Sequence, residues 1–206
     1  MQGGASARSP AAGSIKGAAL RPLVEWYVAR GERARLLEAV QALPAEWREL
    51  IDAADEHLGF LPSRWYPAAL AGAILDQLTA GVPRDQLTAR ARDGARRVMQ
   101  ATLRGVYKLL FDAMMTPERY ARHAHLLFSR YYDTGTLEKT VLAPNRHRTA
   151  IRDWSGHHPF LCELMVYIGE YVYDAIGCQD LVIERTGCVS DGAPECTFLA
   201  SWSAVR

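Results

Sequence analysis

The sequence predicts an α+β domain in which a helical N-terminal part packs on a small antiparallel sheet. Two observations lead to this prediction. Apolar residues recur at helical spacing over the first two thirds of the chain, and after Asp133 the period changes to the alternation of β-strands. One further helix interrupts the strands, so the C-terminal half is expected to follow the order β-β-α-β-β.

The first helices are bounded by prolines and glycines. Pro22 suits the first turn of a helix, and Gly31 separates this helix from a second, short one. Pro44 is expected to open a third helix. Ser63 is expected to cap a fourth helix that begins near Trp65.

Two longer helices follow. Asp85 is expected to cap a helix whose apolar positions continue to Leu110, and Thr116 precedes Pro117 at the start of the next helix, which reaches Tyr131. The helical part is therefore expected to cover residues 15–132.

The sheet is expected to occupy residues 133–206. Two alternating runs flank Pro144-Asn145, which predicts a β-hairpin. Pro159 starts a helix that Gly177 ends as a C′ residue. Two strands are expected after it, over residues 179–188 and 196–202.

Length and composition indicate one domain. A chain of 206 residues fits a single large domain over residues 15–206, and the Gly, Ser, Ala and Pro content of residues 1–14 predicts a flexible arm. No run approaches the roughly 18–20 apolar residues of a membrane span, and the N-terminus lacks a secretory signal. A cytoplasmic protein is expected.

Charge argues against nucleic acid as the main partner. The net charge is +1, from 24 basic and 23 acidic side chains. Phosphate neutralisation needs a local basic surplus. The best candidate is a row of arginines at Arg90, Arg97 and Arg104, but a charged helix face is usually a solvated one.

No catalytic motif is present. The sequence has no Gly-Xaa-Ser-Xaa-Gly elbow, no phosphate-binding glycine loop and no HExxH, and it lacks a nicotinamide or flavin fingerprint. The expectation is that the protein is not an enzyme.

Three cysteines have informative spacing. Cys162 lies near the start of the C-terminal helix, and Cys188 and Cys196 flank a loop between the last two strands. A glycine-bearing hairpin loop can bring two thiolates to one tetrahedral metal ion. Two alternatives remain open: small hydrophobic side chains in a core, and a disulfide between Cys188 and Cys196.

The segment from Cys162 through CTFLASW resembles the C-terminal half of the 4-vinyl-reductase-type domain. That domain shares its architecture with TRAPP vesicle-tethering subunits and serves as the sensor of bacterial aromatic-responsive transcription activators. The resemblance implies a zinc site with Cys162, Cys188 and Cys196 as ligands.

The sensor pattern places an acidic ligand three residues before the middle cysteine, where this chain has Arg185. Glu184 is the neighbouring acid and is taken as the fourth ligand, with Cys178 and Glu163 as alternatives. On a strand, however, Glu184 would point to the opposite face from Arg185.

From Ile15 onward the chain also resembles a myxobacterial paralogous family of unknown function. The resemblance implies a fold but no activity. The landmarks are Lys16-Gly17, Gly31, Trp65-Tyr66-Pro67, Arg104-Gly105-Val106-Tyr107, Tyr131-Tyr132-Asp133-Thr134-Gly135 and Cys188 with Cys196.

The family implication and the aromatic content together favour a sensory module that holds a small apolar or aromatic molecule between helices and sheet. The residues expected to line this site are Trp65, Tyr107, Phe111, Trp154 and His157. The alternative is that these are ordinary core and surface residues. His157 and His158 are not expected to chelate one ion together, because adjacent side chains point in different directions.

A second hypothesis is a protein-interaction or scaffolding module that dimerises through its N-terminal helices. Trp26 and Tyr27, beside Val24 and Val28, would form the exposed apolar face that such a homodimer needs. The partner is expected to be a second copy or a signalling protein.

Overall fold

A computed structural model describes residues 13–103 and 115–206. The α+β prediction is confirmed. The elements are β1 (Ser14–Lys16), α1 (Gly17–Ala29), α2 (Arg33–Gln41), α3 (Ala45–Arg48), β2 (Trp65–Pro67), α4 (Ala68–Thr79), α5 (Arg84–Thr102), α6 (Pro117–Ser129), β3 (Thr136–Ala143), β4 (Arg146–Arg152), α7 (Pro159–Ile176), β5 (Val182–Gly187) and β6 (Cys196–Ser201).

The main sheet has four antiparallel strands in the order β3-β4-β6-β5. The β3–β4 hairpin turns at the predicted Pro144-Asn145, and the Asn145 side chain donates to the Trp202 carbonyl oxygen at 2.8 Å. With α7 between the two hairpins, the predicted order β-β-α-β-β is confirmed.

Helix α7 is the central element, because it contacts both α5 and the strands β5 and β6. It begins at Pro159, where a missing N–H costs nothing, and the His158 ring accepts from the Phe160 N–H at 3.1 Å. It ends at Gly177, whose φ of +96° favours glycine. Both predicted ends of this helix agree with the structure.

Helix α1 begins at Gly17, so Pro22 lies inside the helix and not in its first turn as predicted. The chain enters the helix through a tight approach. A Cβ on Gly17 would lie 2.1 Å from the Leu61 carbonyl oxygen. This contact with a distant residue sets the start of the helix, and a rule based on the position of proline in the local sequence cannot predict it.

A two-stranded ribbon was not predicted. Ile15 of β1 pairs with Tyr66 of β2, so Trp65–Pro67 forms a strand where the start of a helix was expected. The helix follows at Ala68, and its N-cap residue is Pro67, not Ser63. The pairing partner lies about fifty residues away, out of reach of local patterns.

The other helices follow the predicted pattern with different lengths, except that the N-cap residue of α5 is Pro83 and Asp85, the predicted cap, lies in its first turn. α3 is a single turn at Ala45–Arg48. α5 ends at Thr102, and the predicted continuation towards Leu110 lies outside the described residues. α6 is capped as expected, since the Thr116 hydroxyl accepts from the Arg119 N–H at 3.2 Å.

Two predictions about the chain ends can be located only in part. Residues 1–12 of the expected arm lie outside the described residues, and Ser14, its last residue, already belongs to β1. In the described part of the chain, no helix has both the length and the apolar content to cross a membrane.

Candidate thiol–imidazole site

The three cysteines of the C-terminal quarter meet behind the sheet. Cys162 lies in the first turn of α7, Cys188 directly follows β5, and Cys196 begins β6. The sulfur of Cys188 is 3.5 Å from that of Cys162 and 3.8 Å from that of Cys196. Residues that are far apart in the sequence therefore share one point, between a helix N-terminus and a hairpin loop.

His157 completes the cluster. Its Nε2 is 3.5 Å from the Cys188 sulfur, and the four donor atoms of His157, Cys162, Cys188 and Cys196 all lie within 4.8 Å of one another. We call these four residues the thiol–imidazole site. The Trp154–His157 turn, closed by the His157 N–H on the Trp154 carbonyl oxygen at 3.1 Å, positions the ring.

The site is closed to water on its sulfur side. Cys162, Cys188 and Cys196 are each at most 1% exposed, while His157 is partly exposed. The hydrogen bond from Cys162, with the help of the His157 ring, lowers the pKa of Cys196. That same hydrogen bond raises the pKa of Cys162, and burial raises that of Cys188. The arrangement favours one thiolate held by neighbouring donors.

The loop between β5 and β6 brings its two cysteines together through backbone contacts. Val189–Asp191 forms a 3-10 turn, and the N–H groups of Asp191 and Ala193 both donate to the Cys188 carbonyl oxygen. Gly192 follows with a φ of +86°, a conformation that favours glycine. The glycine that was expected to permit this loop has the backbone conformation that the loop needs.

The proposed fourth ligands lie elsewhere. Glu184 is exposed on β5, and Cys178 is buried beside Val205 at the other end of α7. Glu163 lies on α7 next to Cys162, but its carboxylate pairs with the Arg185 guanidinium at 3.0 Å. Arg185, which departs from the sensor pattern, thus forms a largely buried ion pair between α7 and β5.

The two adjacent histidines point in different directions, as the sequence argument expected. His158 caps α7, and its Nε2 lies 3.2 Å from an Asp76 carboxylate oxygen of α4. Only His157 faces the sulfurs. The sequence contains a signal for this, a histidine in the Gly-His-His-Pro turn that leads into the helix carrying Cys162. The sequence argument considers a metal site only for both histidines together and assigns His157 to the apolar ligand site.

The residues predicted to line an apolar ligand site are scattered. Trp65 is 40% exposed on β2, where Lys16 lies over its ring, while Trp154 is buried and its ring centroid is 5.8 Å from that of His157. Tyr107 and Phe111 lie outside the described residues. The structure thus brings together only Trp154 and His157, and the ligand site remains a prediction.

Neither a family model nor a curated protein matches the sequence. Solved structures do match it. They include the S. oneidensis H-NOX protein in the Fe(II)NO ligation state, with a TM-score of 0.60 at 13% identity over 92% of this chain and 100% of the other. The chain has the H-NOX fold.

Two further neighbours agree with this result. The Fe(II) unliganded H-NOX protein from K. algicida has a TM-score of 0.59 at 14% identity, over 92% of this chain and 97% of the other. A mutant of T. tengcongensis H-NOX has a TM-score of 0.60 at 8% identity, over 93% and 99%. At these identities the likeness to H-NOX domains establishes the fold alone.

The H-NOX fold corrects two predictions. The recognition of a 4-vinyl-reductase-type or TRAPP-like domain is wrong, because the neighbours over the whole chain are H-NOX domains. The absence of any matching family model also leaves the myxobacterial resemblance without support. Zinc as the cofactor, which rested on the sensor resemblance, is wrong as well: the neighbours are heme proteins, one of them solved in work on heme distortion in the H-NOX family.

Proposed function

We propose that the chain is a non-catalytic sensory module on the H-NOX fold whose responsive site is the thiol–imidazole site. The single observation that supports this proposal most is the convergence of four buried or half-buried donor atoms within 4.8 Å. Core packing alone does not require a histidine to face three thiols. The site therefore has the composition of a binding site.

The ligand that fits the donors is a thiophilic metal ion. Thiolates select soft transition metals over hard cations, which prefer oxygen, so the proposed ligand is a soft ion other than zinc, such as Cu(I). Binding would release the remaining thiol protons and replace the shared thiolate arrangement by sulfur–metal bonds. The cation would then balance the negative charge of the buried thiolates, which would otherwise repel one another.

An ion at this site would couple two parts of the molecule. Cys162 belongs to α7, which packs on α5, while Cys188 and Cys196 belong to the loop of the β5–β6 hairpin. Occupancy would therefore favour one position of the helix relative to the sheet. A ligand that binds one arrangement better than another shifts their populations, and a non-catalytic domain can signal in this way.

A histidine-ligated heme does not fit the described residues. Its iron needs an axial histidine that faces a large cavity. All six histidines lie in the described part of the chain. His57, His157 and His158 contact other polar groups, and His123 and His125 are exposed on α6.

The remaining histidine, His147, is fully buried. Its Nδ1 is 2.9 Å from the Tyr173 hydroxyl, and the Trp202 ring packs edge-on against it. Two cavities inside the described core measure about 30 Å³ each, and a third, more open cavity of about 690 Å³ lies against α5 and α7, where Arg92, Arg96, Tyr171 and Cys178 are among its lining residues. Ligand pockets usually measure several hundred Å³. No described histidine lines a cavity of that size, so heme is not part of this proposal.

The dimerisation hypothesis loses its named surface. Val24, Trp26 and Tyr27 are at most 4% exposed, and they pack in the core of the N-terminal part. Trp26 donates instead to the Asp93 carboxylate at 2.7 Å. A homodimer or a signalling partner remains a prediction, but not through this face of α1.

The proposal can be tested with Co²⁺ as a spectroscopic probe. Reduced protein, stripped of metal, is titrated with Co²⁺ under argon. We expect one ion per chain, with sulfur-to-cobalt charge-transfer absorption and the visible bands of a tetrahedral complex. Replacing Cys188, which contacts the other two thiols and His157, by alanine should weaken Co²⁺ binding by at least about tenfold.

Two variants serve as matched controls for this titration. Cys178→Ala removes a buried thiol outside the site, and Glu184→Gln removes the acid that was first expected to be the fourth ligand. Both should bind Co²⁺ as the unchanged protein does. Equal Co²⁺ affinity in Cys188→Ala and Cys178→Ala, or a spectrum without sulfur ligation, would contradict the proposal.

A further inference from the structure

A second chemical site lies towards the opposite end of α7, at Lys139. The chain has three lysines, at positions 16, 108 and 139, and its other 21 basic residues are arginines. Lys139 is on β3 and shares a strand face with the buried Leu137. Lys139 is half-buried, and a lysine whose amine points inward needs an explanation, because charged groups are normally kept in water or paired.

The amine of Lys139 is enclosed by neutral groups. It donates to the Thr149 hydroxyl at 2.6 Å, and it lies 4.6 Å from the ring centroid of Tyr120 and 5.1 Å from that of Tyr173. No carboxylate in the described part of the chain forms an ion pair with it. Burial lowers the pKa of Lys139 to about 7. A large fraction of the amine is therefore uncharged and nucleophilic at neutral pH.

This amine faces a small cavity between α7 and the sheet. The cavity measures about 30 Å³, and Tyr120, Leu137, Thr149, Met165, Gly169 and Phe198 line it together with Lys139. Such a volume is about that of two water-sized probes. A molecule that reaches the amine in this arrangement must be very small and uncharged.

We propose that Lys139 captures one- or two-carbon aldehydes as an imine. The Nζ lone pair forms a bond to the carbonyl carbon while the carbonyl π pair moves to oxygen. A proton then passes from nitrogen to oxygen and gives a carbinolamine. The nitrogen lone pair next forms the C=N bond as the C–O bond breaks, and the leaving hydroxyl takes the remaining N–H proton and departs as water. Amine and aldehyde give imine and water, with no oxidation or reduction.

The groups that surround the Lys139 amine suit each part of this step. Thr149 orients the amine through the hydrogen bond, and the tyrosine rings exclude bulk water, which would otherwise hydrolyse the imine. The cavity volume limits the length of the aldehyde. This inference does not depend on the thiol–imidazole site, since Cys162 and Tyr173 are three turns apart on α7.

Reductive trapping tests the inference in the unchanged 206-residue chain. The protein is incubated at pH 7 with acetaldehyde and cyanoborohydride, and the extent of labelling is read by peptide mass spectrometry. Lys16, which lies over the exposed Trp65, is the internal reference. We expect Lys139 to be labelled at least about tenfold faster than Lys16, because a lysine with an ordinary pKa is almost fully protonated at this pH.

Hexanal provides the size control and should label Lys139 more slowly than acetaldehyde by a similar factor. Lys16→Arg should leave the labelling of Lys139 unchanged, which shows that the two amines react independently. Equal labelling of Lys16 and Lys139 by acetaldehyde, or protection of Lys139, would overturn the inference. Equal rates with hexanal would overturn the size limit.

Discussion

Several buried polar atoms of this domain lack the partners that burial normally demands. Within the described residues, the Tyr27 hydroxyl, His147 Nε2 and Trp154 Nε1 have no hydrogen-bond partner, and the Lys139 amine has no anion. Such groups cost free energy that better-matched side chains would avoid. Two of these residues, His147 and Lys139, lie near Tyr173, and Trp154 lies beside His157, so they cluster near the two sites proposed above.

The Lys139 amine should make the stability of the domain depend on pH. Its pKa is about 7 in the folded chain and near 10.5 when unfolded. Between these values the unfolded chain binds one more proton, so the free energy of unfolding should rise with pH by up to about 1.4 kcal/mol per unit. Below pH 7 both states are protonated and this increase is absent.

Urea unfolding at pH 7, 8 and 9 measures this slope. Lys139→Met should flatten it, because methionine fills the same space without a charge, and Lys16→Arg should not change it. Tyr120 and Tyr173 surround the amine, but burial raises the pKa of each tyrosine, so neither titrates in this range. His147 faces Tyr173, and burial lowers its pKa. A slope that persists in Lys139→Met would assign the effect to other groups, the thiols among them.

Among the elements, α7 depends most on its two ends. The first turn carries Cys162 and is capped by His158, and the last turn ends where Gly177 reverses the chain towards β5. Between these ends one face of the helix packs on α5 and another on the sheet. Substitutions at either end of α7 should therefore change the stability of the domain or its ligand binding, in addition to any local fraying of the helix.

Replacing Gly177 by alanine tests the left-handed end of α7. Its φ of +96° is unfavourable for any residue with a Cβ, and we expect a loss of about 1–2 kcal/mol in the free energy of unfolding. Gly72→Ala is the matched control. Gly72 lies inside α4, and a Cβ added there would meet open space. Alanine at this position should therefore raise the free energy of unfolding by roughly 0.5–1 kcal/mol.

Urea unfolding measures the free energy of unfolding of both glycine variants from their midpoints, provided that the dependence of this free energy on urea concentration is unchanged. The opposite signs of the two effects are the discriminating result. If Gly177→Ala were neutral, the helix end would tolerate another conformation and its role as a fixed reversal point would be wrong.

At the scale of the whole molecule, the fold is that of H-NOX domains, while the two cavities inside the described core measure only about 30 Å³ each. One consequence is directly measurable. Hemin added to the chain should give no saturable one-to-one complex with the Soret band of a histidine-ligated heme, because no described histidine lines a cavity of several hundred Å³. The S. oneidensis H-NOX protein is the positive control.

Hemin can also bind to protein surfaces without a defined pocket. Desalting separates the two cases, since loosely bound hemin is lost and a complex in a pocket survives. A one-to-one band that survives desalting would show that the interior opens for the cofactor, and it would replace the thiol–imidazole site as the leading candidate.

Much of the C-terminal half could be predicted because its signals are local. The Pro144-Asn145 turn and the Pro159 and Gly177 helix ends depend on neighbouring residues only, and the structure agrees with each of them. The β1–β2 ribbon could not be predicted in this way. Its two strands have three residues each, and they pair across the whole first helical region.

The candidate sites show the same division. Cysteine spacing predicted that Cys162, Cys188 and Cys196 could meet, but it offered Glu184 as the fourth group where the structure places His157. The pattern around Lys139 also indicated its direction, because Lys139 alternates with Leu137 and Val141 and so lies on the same face of the strand as these apolar residues. The count of charged residues does not distinguish this lysine from the others.

By itself, the sequence determined the α+β class, the Pro144-Asn145 turn, both ends of α7 and three of the four residues of the thiol–imidazole site. These follow from backbone preferences and side-chain chemistry, which act over a few residues. Only the tertiary structure decided the H-NOX arrangement, the direction of His157 and the enclosure of Lys139. Each of these depends on packing between segments that are distant in the chain, where burial and close contact set the outcome.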